Sequence, residues 1–221
     1  MAEAAGPGPR PAPGPALLPA RERDSLLAAA AAMASGGIVG LPTETVYGIA
    51  VIPRPEALAQ LIAAKGRPGD KGIALLVDGL DQVDESVVLP ATARRLGDRF
   101  WPGPLTLVLP LQRPDVVPAA LTGGRDTLAV RIPDHVVPRS LARLLGPIAV
   151  TSANRSGEPE ASTAQELVAS LGASLALVLD DGPVRGGVAS SVVAVDLAGR
   201  VSLLREGALS EIELMAALAD I

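Results

Sequence analysis

Short apolar runs recur along the chain, each separated from the next by a stretch that can hold one helix or a polar loop. Strands are predicted at 37–41, 73–77, 105–109, 128–132, 148–151, 175–179, 191–196 and 201–204. Several are continuous in Val, Ile and Leu, as in strands covered on both faces. Between them lie helical patterns. Asp24 can cap a helix through Leu26, Leu27 and an alanine run that Gly36 stops. Pro55 opens a second over EALAQLIAAKG, with Leu58, Leu61 and Ile62 on one face and Gly66 at its end. Further helices are expected at 90–100 and 134–145. Two more follow the capping boxes Thr163 with Glu166 and Ser210 with Glu213. The alternation predicts an α/β fold, a mixed sheet flanked by helices, as one domain over 21–221 with no internal repeat. Residues 1–20, mostly Ala, Pro and Gly, have no period and read as a flexible tail that stays out of the fold.

The stretch Gly37 to Gly48, GIVGLPTETVYG, breaks this rhythm. An apolar strand runs into Pro42, two threonines, a carboxylate and the single tyrosine, and Gly48 is expected to let the backbone turn away. Polar groups gathered at a strand end mark the crevice where open α/β sheets bind ligands. An ordinary turn explains the same pattern equally well.

Composition narrows the choices. Nearly half of the 221 residues are hydrophobic, but Phe, Trp and Tyr occur once each, so the core must be aliphatic. No apolar run approaches the roughly 20 residues of a membrane span, and no membrane partner is expected. The lack of cysteine excludes disulfides and thiolate chemistry, and suits a cytoplasmic location. One histidine excludes a multi-histidine metal cluster. The net charge of −5 argues against sequence-independent nucleic-acid binding, while leaving room for a small basic pocket.

Neither the P-loop nor the dinucleotide-binding glycine pattern occurs. Two other constructions could hold phosphates. Lys65-Gly66-Arg67-Pro68 ends a helix with two cations that could converge on a polyphosphate, or could merely complement the helix dipole. Thr151-Ser152-Ala153-Asn154 follows a strand, and extended geometry points Ser152 and Asn154 to one side, where a turn could equally use them. Arg131, inside a strand, needs an anion, either a substrate carboxylate or a protein one. His135 reads as a helix-start residue, and Glu44, pointing away from Thr43 and Thr45, is left to structural pairing. The acidic residues at 78–85 and 180–181 lack metal-loop spacing and read as solvated loops, with no metal site expected.

Taken in order, GGIVGLPTETVYGIA, the K-x-R of KGRPGDKGIALLV, WPGPLTLVL, LAVRIPDH, TSAN, SSVV and LLREGA resemble the YrdC/Sua5 family, over about residues 25–208. The resemblance implies a twisted sheet enclosing a large positively charged cavity. There L-threonine, bicarbonate and ATP, with Mg²⁺ on the phosphates, would become threonylcarbamoyl-AMP and pyrophosphate. Lys65, Arg67, Ser152 and Asn154 would contact the nucleotide, with Thr127 and Arg205 on the ATP side. Lys65 and Arg67 would also act in catalysis. Thr43 would hold the threonine, Arg131 its carboxylate, and Ser190 would line that subsite. Ser191 stands where the family usually has Thr, and Glu206 where it usually has Pro; neither change removes a ligand. Partner proteins would carry the product to transfer RNA as t6A, and double-stranded RNA or tRNA would be a weak partner at most. The chain is expected to lack the extra C-terminal domain of the longer Sua5 type. Two other readings keep parts of this picture: a carbamoyl-adenylate-forming domain using carbamoyl phosphate, and a non-catalytic RNA-binding module. Standing alone favours the threonine reading over the first. Acidity and scarce aromatics count against the second.

Overall fold

A computed structural model describes residues 14–66 and 71–219. In chain order the elements are β1 (Ala16–Pro19), α1 (Arg23–Ala34), β2 (Val39–Leu41), β3 (Gly48–Val51), α2 (Pro55–Lys65) and β4 (Ala74–Leu76). Next come α3 (Ala91–Phe100), β5 (Leu105–Pro110), α4 (Ala119–Thr122), β6 (Thr127–Arg131), α5 (Val136–Leu145) and β7 (Ile148–Ser152). The chain continues with α6 (Ala164–Leu171), β8 (Leu177–Asp180), β9 (Ser191–Val195), β10 (Val201–Arg205) and α7 (Glu211–Ala219). The strands form one ten-stranded mixed sheet in the order β1-β8-β2-β3-β7-β4-β6-β5-β9-β10. The expected α/β class with helices around a mixed sheet therefore holds.

Side-chain alternation divides the sheet into two faces. On the first, Ile49, Leu75, Leu107, Leu128, Val130 and Val193 pack with Leu58 and Leu61 of α2, Leu96 of α3, Leu167 of α6 and Leu214 of α7. On the second, Val39, Leu41, Ala50, Ile148 and Leu177 pack with Ala29 and Met33 of α1 and Val137 and Leu141 of α5. That second cover stops at Leu76 and Val150. Beyond them the same face, over β4, β6, β5, β9 and β10, lines a cavity.

Three details differ from the sequence expectation. Ala16–Pro19, assigned to the tail, is an edge strand pairing parallel with β8, because backbone hydrogen bonding does not require an apolar pattern. The rest of that tail, 1–13, lies outside the described residues. Gly48 starts β3, antiparallel to β2, instead of turning the chain away. A Cβ on Gly48 would stand 2.8 Å from Val150 Cγ1, so the close pairing of β3 with β7 needs the glycine. Asp24 lies inside the first turn of α1, whose N-cap, Glu22, makes no side-chain capping bond. Ser210 and Glu213 form a complete capping box, Ser210 N donating to Glu213 Oε2 at 2.8 Å and Glu213 N to Ser210 Oγ at 3.3 Å; Thr163 Oγ1 accepts from Glu166 N at 3.2 Å, but Glu166 Oε2 takes Ser162 N at 2.7 Å in return.

Candidate functional site

The cavity on the second face has a volume of about 350 Å³. Register gives it two ends. Thr127 and Arg131 both face it from β6, four residues apart, hence about 13 Å along the strand. Leu75 pairs with Val130 and Ala74 with Val150, so Ser152 falls level with Thr127. Leu107 pairs with Val130 and Leu105 with Ser191, so Thr106 and Ser190 fall at the Arg131 end.

At the Ser152 end, α2 closes in a left-handed Gly66 (φ 59°), leaving Lys65 buried on its last turn. The Lys65 ammonium donates to Ser152 O and to Asn154 Oδ1, both at 2.7 Å. Ser152 Oγ donates to the same Asn154 Oδ1 at 2.7 Å, and Asn154 Nδ2 to Glu158 O at 2.6 Å. Lys65 therefore reaches from the last turn of α2 to the end of β7. Ser152 and Asn154 do meet, but through a turn and not through extended geometry: β7 ends at Ser152, and Asn154 N donates back to Ser152 O at 3.1 Å. Arg67 lies outside the described residues. Thr127, Arg125 and Glu160 line the cavity. Arg125 and Glu160 carried no sequence signal of their own.

At the other end, Arg131 is 6% exposed and held on several sides. Its Nε donates to Gly103 O at 3.1 Å, which explains the WPGP turn before β5. Its Nη2 donates to Thr45 Oγ1 at 3.1 Å and lies 2.7 Å from Glu44 Oε1. Three strands separate β2 from β6 in the sheet, so the 42–47 loop must reach across them to make these contacts. Inside the loop, Thr43 Oγ1 donates to Val46 O at 2.6 Å and accepts from the amides of Thr45 and Val46 at 3.2 Å. The 2.9 Å bond between the two threonine hydroxyls is therefore donated by Thr45. A chain of donors runs from Arg131 through Thr45 and Thr43 to Val46. Thr43 lines the cavity, but its hydroxyl proton is spent on the loop. Glu44 Oε2 is the sole buried side-chain polar atom without a hydrogen-bond partner among the described residues. Arg131 Nη1 donates to no described group and is not such a buried orphan, so it reaches open space.

Beside Arg131, Ser190 Oγ and Thr106 Oγ1 share a 2.8 Å bond, and Arg205 Nη2 donates to Ser190 O at 2.8 Å. Arg205, read from sequence as part of the ATP side, thus sits against Ser190, at the Arg131 end. Ser191 Oγ accepts from the amides of Gly207 and Leu209 at 2.9 and 3.0 Å, so the hydroxyl at this position ties down the following loop.

Behind the loop lies a second polar network. The buried Tyr47 OH donates to Gly182 O at 2.8 Å and accepts from Asp181 N at 3.1 Å; burial pushes its pKa up to about 12. Asp181 binds Arg21 Nε and Nη2, both at 2.8 Å, and the Arg21 guanidinium holds its carboxyl below the usual range. His135 caps α5, accepting from Val137 N on Nδ1, and its Nε2 faces Asp181 Oδ2 at 3.2 Å. Burial lowers its pKa despite Asp181, so the neutral ring carries its proton on Nε2. The helix-start reading of His135 holds. The solvated-loop reading of 78–85 and 180–181 does not hold for Asp78, Asp180 and Asp181: Asp78 binds Arg139 and Arg143 at 2.7–2.9 Å, and Asp180 accepts from Gly182 N at 2.9 Å.

The family model described as "Telomere recombination", that of Sua5, YciO and YrdC, matches residues 31–207. A relative from Pyrococcus abyssi named threonylcarbamoyl-AMP synthase is 40% identical over 168 residues, 75% of this chain and 49% of its own. One of the same name from Bacillus subtilis is 37% identical over 198 residues, 87% of this chain and 56% of its own. The crystal structure of P. abyssi Sua5 complexed with L-threonine superposes with a TM-score of 0.85 at 36% identity, covering 93% of this chain and 61% of that one. The chain thus spans about half the length of these relatives. The family match covers both ends of the cavity, from the loop at 42–47 to Arg205, and on it the chain belongs to the Sua5/YciO/YrdC family.

Proposed function

We propose that the chain makes threonylcarbamoyl-AMP and pyrophosphate from L-threonine, bicarbonate and ATP. The observation that carries this reading is one cavity with two polar ends about 13 Å apart along β6. One end suits an amino acid and the other a nucleotide, and the space between suits their reaction. Named relatives and the threonine complex of P. abyssi Sua5 support the choice of substrate.

In this reading Arg131 offers Nη1 to the threonine carboxylate, with Thr43 and Ser190 alongside. Since the Thr43 hydroxyl is committed to Val46 O, its part is to shape the loop and to accept. Lys65, Arg67, Ser152, Asn154 and Thr127 hold the nucleotide. Arg205, against Ser190 at the Arg131 end, would reach from there toward the α-phosphate.

The threonine amine adds to the carbon of CO2 drawn from bicarbonate and loses a proton, giving a carbamate. A carbamate oxygen then attacks the α-phosphorus, and pyrophosphate leaves with the electron pair of the broken P–O bond. No side chain becomes a covalent nucleophile. An anion must approach a polyanion, so the protein's contribution is position and positive charge. Arg125, Arg131 and Arg205 line the cavity against one lining carboxylate, Glu160. Mg²⁺ belongs to ATP as its counter-ion. The described residues hold no group of three or more His, Cys, Asp or Glu that would make a resident metal site. The product would pass to partner proteins that place it on transfer RNA as t6A.

Pyrophosphate release tests this directly. It should require L-threonine and bicarbonate together. Release supported instead by carbamoyl phosphate would favour the carbamoyl-adenylate chemistry, and RNA binding without either activity a non-catalytic module.

A further inference from the structure

Resting on the amino-acid assignment of the Arg131 end, we propose that Glu44 sets substrate specificity by keeping phosphate off Arg131. A cavity built to hold a triphosphate has an inherent problem. Any unpaired guanidinium in its wall binds phosphate at least as well as carboxylate, since both accept the same forked donors. Without a partner Arg131 would be such a group, buried and only about 13 Å from the nucleotide end. Glu44 answers this from behind. Its Oε1 lies 2.7 Å from Arg131 Nη2, and Asp134 N fixes the same oxygen at 3.0 Å.

Oε2, next to it, is buried and has no partner, so none of its charge is satisfied by another donor. The carboxylate has one backbone donor, on Oε1, and its closest cation is Arg131. The pair is neutral overall, while Nη1 keeps its two donors for a ligand. A zwitterionic amino acid, with no net charge, gains those hydrogen bonds without a repulsive term. Phosphate or pyrophosphate, carrying two or more charges, meets Glu44 behind the same donors. Arg205, which has no carboxylate in its described contacts, stays available to phosphate at the junction. Glu44 is a positioning and charge-balancing residue; it does not line the cavity.

The test is equilibrium binding of L-threonine, by calorimetry, with inorganic phosphate as the competing probe. In the wild-type protein phosphate should leave the apparent Kd of L-threonine unchanged. In Glu44→Gln, which keeps the shape and removes the charge, millimolar phosphate should raise that Kd several-fold, competitively. Thr45→Val removes a tether of Arg131 but keeps the ion pair, and should show no phosphate competition. A purely structural role would weaken threonine binding in both variants without any dependence on phosphate. Glu44→Gln that folds and shows no competition overturns the inference, as does competition of equal size in Thr45→Val. Should Glu44→Gln fail to fold, the wild-type measurement still decides, because phosphate competing with L-threonine there contradicts the proposal. Wild-type protein that binds no L-threonine at all would overturn the functional reading, and this inference with it.

Discussion

Lys65 is buried, and in the proposed site it would serve the nucleotide from there. Its ammonium is 2.7 Å from two oxygens of the β7 end, so its position is set before any nucleotide arrives. Such preorganised charge is what stabilises a developing pentavalent phosphorus. Lys65→Met should lower kcat by roughly 100-fold, the usual weight of one preorganised donor, while circular dichroism stays native. His135 gives a second residue-level prediction. Its folded pKa is lowered by burial, so as pH drops below the ordinary value near ~6.5 the unfolded chain takes up the proton first. Stability then falls with falling pH. His135→Asn retains an acceptor for Val137 N and should flatten the decline in Tm between about pH 7 and pH 5. Residue-level legibility was uneven. The meeting of Ser152 and Asn154 was expected from strand alternation, but it comes from the tight turn that follows β7. Thr106 was hidden inside LTLVL, although a threonine among leucines, at the same parity as Val108, is the signal that one face of β5 meets something polar. Asp181 gave no signal at all, because its partner Arg21 is 160 positions away in sequence.

Among the elements, the 42–47 loop with β3 does the most. Its threonines and Glu44 cross three strands to reach Arg131, and Gly48 allows β3 to lie close to β7. Gly48→Ala puts a methyl 2.8 Å from Val150 Cγ1 and should destabilise the fold by roughly 1–3 kcal/mol, read by chemical denaturation. Because the same strand pair borders the cavity, ligand affinity should fall with it. Most strands were legible as apolar runs, and the starts of α6 and α7 were read from Ser or Thr followed by Glu. β3 escaped because its four residues, GIAV, follow a polar stretch with no turn signal between them. β1 escaped because an edge strand of mixed burial, set among prolines, carries no period.

For the whole molecule, the decisive feature is that helices cover the second sheet face only as far as Leu76 and Val150. Thr106, Thr127 and Arg131 face the open part, and in the proposed reading the two substrates would lie end to end along β6. Each should stabilise the fold separately by binding the native state alone. L-threonine and ATP should therefore each raise Tm. Arg131→Lys, which keeps a charge beside Glu44 but loses the forked donors, should abolish the L-threonine shift and spare the ATP shift. A mixed sheet and the succession of its apolar strands along the chain were accessible from sequence, whereas the strand order was not; the cavity was implied only by the family resemblance, and it lies on a face of the sheet instead of at a strand end. The resemblance implied separate threonine and nucleotide subsites, but their spacing along β6 was not accessible, since it depends on register between strands far apart in the chain.

Incubation with ATP, Mg²⁺, L-threonine and isotopically labelled bicarbonate, followed by mass spectrometry, tests the proposed chemistry most directly. The expected result is threonylcarbamoyl-AMP carrying the label, formed together with pyrophosphate. Pyrophosphate formed without L-threonine in the adenylate, or an adenylate without the label, would contradict it.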